Sequence, residues 1–332
     1  MEVESRLCDR AVPRVGYGCM GLSEFYAPVS ESEAVRAMRA AWEAGVRHFD
    51  TADMYGLGDN ERLVGQFARS LGEQRAELLI ATKVGIRRSR ENPRQMSVDS
   101  SPSYVTSACE ASLARLGLER IDLLYLHRKS ADVPIEDTVG AMQRLRERGL
   151  IGGIGLSEVS AKTLERASSV CRIDALQNEY SLWTRDAERD LLAICSRESI
   201  AFVAYSPLGR GFFAGISGLE VQLERKEDLR HVLPRFASGN LPRNAELLCS
   251  LEEVAARYQS STSRVALAWV LARRPFVHVI PGSRRPEHIR DNTSSLALKL
   301  STEDESMLTQ AFAPERVLGQ RYPEALLSTV NS

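Results

Sequence analysis

The 332-residue chain carries 43 basic and 44 acidic residues without a long run of either sign, so it has no electrostatic footprint for nucleic acid or an anionic membrane, and a neutral small molecule is its expected partner. No apolar stretch is long enough to cross a bilayer, and Met1–Asp9 lack a basic segment followed by an apolar one, which predicts a soluble, unexported, cytoplasmic protein. Six cysteines (Cys8, Cys19, Cys109, Cys171, Cys195, Cys249) fall without CxxC or Cys/His ligand spacing and read as reduced thiols, with no metal site expected.

In chain order, the first strand is expected at Val15–Cys19. Ser30 and Glu33 form a capping box for a helix that carries Val35, Met38 and Trp42 on one face and stops at Gly45. Val46–Asp50 alternates as a strand, Asp59–Leu71 is a helix stopped by Gly72, and Leu78–Thr82 is a second apolar run of strand length. A helix opening at Ser101-Pro102 ends at Gly117, and strand Ile121–Leu126 follows. Helix Thr138–Arg148 leads to strand Ile151–Leu156, helix Ser160–Val170 to strand Asp174–Gln177, and helix Ala187–Arg197 to strand Ile200–Tyr205. After an irregular stretch from Gly209 to Arg243, helical patterns at Ala245–Tyr258 and Arg264–Arg273 precede strand Phe276–Ile280 and helix Pro286–Leu296.

Eight short, nearly continuous apolar strands alternating with amphipathic helices suit a parallel sheet covered on its outside. An open doubly wound sheet uses the same alternation but breaks between halves, and no such break or linker is visible. The expectation is therefore an α/β protein of the (β/α)8 TIM-barrel class, one domain over residues 1–332.

Gly16-Tyr17-Gly18-Cys19-Met20-Gly21 has the spacing G-x-G-x-x-G of a dinucleotide fingerprint. That fingerprint needs a helix opening at the glycines, whereas here Pro28 intervenes and the helix cap arrives only at Ser30. The glycines are read instead as a close backbone approach after the first strand, where side chains would obstruct a ligand.

In a (β/α)8 enzyme the reactive groups gather where strands end and loops begin. Asp50 ends the second strand with Tyr55 in the loop beyond it, Lys83 ends the third and His127 the fourth. Ser157, Gln177 and Tyr205 follow the fifth, sixth and seventh strands, and Gly282 and Ser283 the eighth. A tyrosine titrates near 10 unless a cation lowers its pKa; Lys83 supplies that cation, Asp50 holds Lys83 charged, and His127 is placed to hydrogen-bond a substrate oxygen. Each residue alone also has a bland reading, as a loop cap, a loop aromatic, a solvated charge or a core histidine; their coincidence at consecutive strand ends is what points to chemistry.

The motifs around these residues resemble the aldo-keto reductases from about Val15 to Asp304. Gly45-Val46-Arg47-His48-Phe49-Asp50-Thr51-Ala52 with Tyr55-Gly56 resembles the family's catalytic strand and loop, Ala81-Thr82-Lys83 its lysine strand, and Asp122-Leu123-Leu124-Tyr125-Leu126-His127-Arg128 its histidine strand. Gln177-Asn178-Glu179-Tyr180-Ser181 and Ala204-Tyr205-Ser206-Pro207-Leu208-Gly209-Arg210-Gly211 resemble cofactor motifs of the branch whose bacterial and plant members reduce varied aldehydes and ketones. The resemblance implies a catalytic tetrad of Asp50, Tyr55, Lys83 and His127 and NADP(H) as cofactor. By the same resemblance Ser157 and Gln177 bind the nicotinamide carboxamide, Tyr205 stacks on the ring, Ser206, Pro207, Leu208, Gly209 and Arg210 line the pyrophosphate, and Met20 and Asp50 border the cofactor.

Many family members carry Ser-Asn after strand five where this chain has Ser157-Glu158, and Glu158 can accept but not donate a hydrogen bond to the carboxamide. Pro281-Gly282-Ser283-Arg284-Arg285-Pro286-Glu287-His288, ending at Asp291-Asn292, resembles the segment that holds the adenosine 2′-phosphate and adenine, which makes Gly282, Ser283, Arg284, His288, Asp291 and Asn292 expected contacts and favours NADPH over NADH. The expected substrate is a carbonyl compound with an apolar or aromatic body, because Leu22, Phe25, Tyr26, Trp183, Phe212 and Phe213 suggest an apolar rim. Gly211–Arg243 is expected as a mobile cover over the cofactor. The competing reading is a cofactor-sensing binding subunit, since some relatives of the family serve as potassium-channel beta subunits. A metal-dependent hydrolase is disfavoured because the five histidines form no HxH or HxxxH pair, and no oligomeric state is legible.

Overall fold

In the computed structural model, which describes residues 6–26, 28–92, 95–215, 228–327 and 330, all eight expected strands form. They are β1 (Tyr17–Gly18), β2 (His48–Asp50), β3 (Leu79–Val84), β4 (Ile121–Leu126), β5 (Ile151–Ser157), β6 (Ala175–Glu179), β7 (Ala201–Tyr205) and β8 (Val277–Val279), each parallel to its neighbours in chain order. A parallel bridge between Val15 and Val279 joins the two outermost strands, with the Gly16 N–H donating to the Val279 carbonyl at 2.8 Å and the Val279 N–H to the Arg14 carbonyl at 2.8 Å. The sheet is thereby closed into a (β/α)8 barrel, in which each of the eight strands has a neighbour on both sides.

Parallel neighbours require long crossovers, and helices supply them. The described α-helices of five or more residues are α1 (Glu31–Glu43), α2 (Asp59–Ser70), α3 (Pro102–Leu116), α4 (Ile135–Glu147), α5 (Ala161–Ser168), α6 (Leu191–Glu198), α7 (Leu241–Ala245), α8 (Leu248–Arg257), α9 (Thr262–Ala272), α10 (Pro286–Thr293) and α11 (Thr302–Ala311). The capping box at α1 is present in both directions between Ser30 and Glu33. Gly117 ends α3 at φ 64°, a left-handed cap that an L side chain adopts with difficulty. Several expected boundaries differ, some of them by more than a residue or two or by a break in the helix. Helix α4 starts at Ile135 behind Pro134, Ala187–Arg197 divides into a 3-10 turn (Asp186–Glu188) and α6 because Asp190 leaves helical dihedrals at φ −138°, and Ala245–Tyr258 is split between α7 and α8.

The wall between strands and helices is the main apolar core, where Phe49, Phe67, Leu124, Ile154, Leu176, Phe202 and Trp269 are fully enclosed. Each such side chain contributes about 1.5–3 kcal/mol relative to exposure. A second cluster fills the lumen: Leu79, Ala81, Leu123, Tyr125, Ala175, Ala201, Val203 and Ile280, capped from below by Leu7 and Val12. Leu7 arrives there on an antiparallel hairpin of Arg6–Leu7 and Arg10–Ala11 that plugs the N-terminal end of the barrel. At that end Asp122 accepts from Arg10 at 3.0 Å, Arg75 at 3.1 Å and the Ile80 N–H at 2.8 Å. Asp174 similarly accepts from the Ile154 N–H at 2.8 Å and pairs with Arg146 and Arg172.

Gly16 and Gly18 of the apparent fingerprint serve the barrel wall, whereas Gly21 lies in a 3-10 turn beside Tyr26. A Cβ on Gly16 would lie 2.8 Å from His48 Nδ1, and one on Gly18 would lie 2.7 Å from the Ile280 carbonyl oxygen. The expected reason, room for a ligand, is corrected: β1 is squeezed between β2 and the chain leaving β8, and neighbouring strand is what a side chain would strike. Of the Gly211–Arg243 segment, residues 216–227 lie outside the described residues. Leu229–Val232 and Pro234–Phe236 form 3-10 turns, with Leu233 and Phe236 buried.

Candidate active site

The C-terminal end of the barrel brings Asp50, Tyr55, Lys83 and His127 together. Asp50 is the last residue of β2, Lys83 is the last but one of β3, and His127 directly follows β4, its N–H donating to the Val84 carbonyl at 2.8 Å. Tyr55 opens a 3-10 turn in which Gly56, Leu57 and Gly58 all have positive φ, so the chain reverses sharply and drops the phenol back over the barrel mouth. Lys83 Nζ donates to Asp50 Oδ1, to the Thr51 carbonyl at 2.8 Å and to Tyr55 Oη at 3.4 Å. The Tyr55 and His127 rings meet edge to face with centroids 6.0 Å apart.

All four side chains are buried, and burial is the first influence on the acidity of each. It pushes the Asp50 carboxyl upward, opposed by Lys83 and the hydrogen bond from Gln177. For Lys83 burial acts against the ammonium, but Asp50 and Tyr55 outweigh it and carry its pKa above the ordinary value. His127 is held well below the usual imidazole range by burial, then by Arg128 and Lys83, and is neutral at pH 7. The Tyr55 phenol departs from expectation: burial raises its pKa, and the pull of Lys83 only partly offsets that. The phenol is therefore protonated at neutral pH, with the Lys83 ammonium in contact.

The expected cofactor residues lie on one side of this mouth. Ser157 ends β5 and Gln177 stands in β6, where its Nε2 donates to Asp50 Oδ2 at 2.8 Å. Tyr205 ends β7 partly exposed and shares a 3.0 Å hydrogen bond with the Tyr322 hydroxyl. Ser206, Gly209, Arg210 and Gly211 all have positive φ, and the turn is closed by the Gly209 N–H donating to the Ser206 carbonyl at 2.9 Å and the Gly211 N–H to the Leu208 carbonyl at 3.1 Å. The Arg210 guanidinium sits 3.7 Å from Glu179, whose Oε2 is buried without a hydrogen-bond partner among the described residues. Met20 packs with Ala52, Met54 and Tyr55 beside the tetrad.

Glu158 is fully enclosed at φ 56°, and both its carboxylate oxygens are taken by Arg321 at 2.8 Å, with the Glu179 N–H donating to one of them at 2.9 Å. Its carboxylate faces the C-terminal tail. Beyond β8, Gly282 approaches β1 so closely that a Cβ would lie 2.8 Å from the Gly18 carbonyl oxygen. Ser283 and Arg284 precede the N-terminus of α10, with Arg284 donating to the Pro28 carbonyl at 3.3 Å. His288 is exposed on α10, Asn292 is buried, and Asp291 is turned toward Arg264 and Ser261.

Sequence reading missed several residues here. Arg128 donates to the His127 carbonyl at 2.6 Å and to Ser157 Oγ at 3.3 Å, linking strands four and five. Arg321 and Tyr322 close over the β5–β7 side, and Arg235 donates to Thr184 at 2.6 Å behind it. The adjacency of Arg128 to His127 was the one local signal; the tail residues are paired across the whole chain. The apolar rim is also corrected: Leu22, Trp183, Phe212 and Phe213 are buried, because Trp183 stacks on Phe212 at 4.3 Å and both pack on Phe213. Phe25 and Tyr26 remain at the mouth, partly exposed.

Residues 14–312 match the model of the Aldo/keto reductase family. A protein of Glycine max named probable aldo-keto reductase 1 is 41% identical over 316 residues, spanning 95% of this chain and 90% of its own length. The NADP(+) aldo-keto reductase yakc of Schizosaccharomyces pombe is 36% identical over 321 residues, spanning 96% and 94%. Among solved structures, the glycerol dehydrogenase AKR11B4 of Gluconobacter oxydans superposes with a TM-score of 0.83 at 25% identity, covering 93% of this chain and 96% of that one. An aldo-keto reductase of Klebsiella pneumoniae in complex with NADPH superposes at 0.75 with 26% identity, covering 97% and 99%.

Proposed function

The chain belongs to the Aldo/keto reductase family, and from that premise we propose that it reduces an aldehyde or ketone to the alcohol with Tyr55 as proton donor. It is an oxidoreductase that uses NADP(H), as its yeast relative and the Klebsiella structure do by name. The donor set suits that dinucleotide: an aromatic face at Tyr205, the Arg210 cation for the pyrophosphate, and Ser283 and Arg284 before α10 for the 2′-phosphate. Ser157 and the carbonyl oxygen of Gln177 hold the nicotinamide carboxamide, with Met20 and Asp50 at its border, and Ser206, Pro207, Leu208 and Gly209 form the pyrophosphate turn. Gly282, His288, Asp291 and Asn292 line the adenosine end. Glu158 acts through the tail that it fastens.

When bound, the dinucleotide supplies a hydride to the carbonyl carbon. The protein's own part is the proton and the charge. The neutral His127 imidazole donates a hydrogen bond that orients the substrate oxygen. Tyr55 delivers its proton to that oxygen, and Lys83, held by Asp50, stabilises the phenolate left behind. The observation that carries the reading is the single Lys83 Nζ touching both Asp50 and Tyr55 in a buried setting. Phe25 and Tyr26 at the mouth favour a carbonyl compound with an apolar or aromatic body. The test is NADPH oxidation against a panel of aldehydes and ketones from small polar to aromatic. Turnover rising with apolar bulk is expected; cofactor binding without turnover of any carbonyl would favour a cofactor-sensing subunit instead.

A further inference from the structure

Tyr55 sits on a turn, and a turn that contains three residues of positive φ does not by itself hold a side chain still. Its two flanking peptide groups, however, are gripped from outside. The Gly56 N–H donates to Glu24 Oε1 at 2.9 Å, and the Met54 carbonyl accepts from Arg88 at 2.8 Å. Glu24 and Arg88 are in turn joined by a two-pronged ion pair, with contacts of 2.5 Å to Oε1 and 3.1 Å to Oε2. The pair is largely enclosed, with side-chain exposures of 9% for Arg88 and 22% for Glu24, so its geometry is not that of a solvent-averaged surface contact. Glu24 comes from the loop after β1 and Arg88 from the loop after β3, so two neighbouring loops close on the one carrying Tyr55.

The residue next to Glu24 adds a third constraint. Phe25 lies edge-on to the Tyr55 ring, with centroids 6.2 Å apart, and the Arg88 guanidinium is 5.7 Å from the Phe25 ring centroid. Phe25 holds φ 76°, a conformation that neighbouring contacts must sustain in a bulky residue, and its carbonyl accepts from the Leu229 N–H at 2.8 Å.

We propose that the Glu24–Arg88 ion pair is a positioning device for the proton donor: by holding the Met54 carbonyl and the Gly56 N–H, it fixes the phenol over Lys83 at the distance the reaction requires. This inference rests on the reading of Tyr55 as the donor. Neither residue touches the reacting atoms; both act through the backbone of the Tyr55 turn. Displacing a reacting group by about 1 Å costs on the order of 10²-fold in rate, so a slack turn is kinetically visible even where the fold is intact.

Glu24→Ala and Arg88→Ala are expected to lower kcat by about tenfold to 10²-fold. NADPH affinity, read by fluorescence titration, should stay within about twofold, well short of the tenfold shift that loss of a real cofactor contact brings. Glu24→Gln keeps an oxygen for the Gly56 N–H and should lose markedly less than Glu24→Ala. Because a displaced phenol makes proton delivery slower than hydride arrival, the solvent deuterium isotope effect on kcat should rise in the alanine variants, which loss of stability alone would not produce. Wild-type kcat in Glu24→Ala, or a lowered kcat with an unchanged isotope effect, overturns the positioning role. A Tyr55→Phe enzyme that keeps its rate would instead defeat the donor assignment, so the two failures are distinguishable.

Discussion

The two ends of the barrel treat charge in opposite ways. At the N-terminal end Asp122 and Asp174 each meet arginines and a strand N–H, so the carboxylates there have their bonding capacity filled by the protein. At the C-terminal end a lysine and an aspartate are paired at exposures of 1% and 3%, and beside them His127 Nδ1 and Glu179 Oε2 are buried without a hydrogen-bond partner among the described residues. Arg75 Nε at the N-terminal end is buried without a partner among the described residues as well, so the ends differ in which groups surround what is left over: carboxylates filled by arginines and a strand N–H at one, a lysine–aspartate pair beside a neutral imidazole at the other.

The sharpest way to break that division is Tyr55→Phe, which keeps the ring and deletes the donor. Single-turnover reduction should slow by about 10²–10⁴-fold while NADPH binding and the unfolding midpoint stay as they are. A normal rate would remove Tyr55 as the proton donor at the C-terminal end. The converse change is Asp174→Ala, which strips the acceptor from the Ile154 N–H and leaves Arg146 without its carboxylate. It should cost about 1–3 kcal/mol in denaturant unfolding and leave kcat unchanged. Equal damage to kcat would mean that the two ends are not separable.

Between the ends, His48 of β2 and His278 of β8 are both fully buried, and their pKa values are pushed down to about 3 by burial first, with Lys83 adding to the effect on His48 and His48 and Arg14 to that on His278. Both are neutral in the native protein, whereas in the unfolded chain they take up protons near pH 6.5. The unfolded state therefore binds more protons as pH falls, and each histidine removes about 1.4 kcal/mol of stability per pH unit between roughly pH 6.5 and 3. His48→Gln should make the loss of stability between about pH 6 and 4 shallower by that amount. An unchanged slope in urea melts across that range would show that His48 is not held neutral.

Much of this architecture is local in sequence, and that is why it could be read there. Leu79–Val84 and Ile121–Leu126 are mostly apolar, broken by Thr82 and Lys83 and by Asp122, because both their faces are covered, and Ser30 with Glu33 announces a helix within four residues. Asp50, Lys83 and His127 are legible because strand ends in a barrel share one face, so three separate runs predict one cluster. What escapes are contacts without a period or a spacing. Leu7 closes the lumen from a two-residue strand, Glu24 meets Arg88 across two loops, and Arg321 reaches Glu158 from the far end of the chain. The buried stack of Trp183 and Phe212 misleads for a related reason: aromatic residues in an irregular segment look the same whether they line a mouth or pack beneath it.

The bridge between Val15 and Val279 has a consequence for how the molecule is made. During synthesis each new strand from β2 to β7 can add to the one before it as it leaves the ribosome, yet β1 keeps an open seam until β8 has been translated. For most of its time as a nascent chain the protein thus exposes an unpaired strand edge, the feature through which partly made chains associate wrongly. Here that edge is short, two residues of regular strand with Gly16 and Gly18 in and beside it, and a short glycine-broken edge is a poor template for a stray strand. The glycines that let β1 fit between its neighbours in the finished barrel also guard it while the barrel is still open.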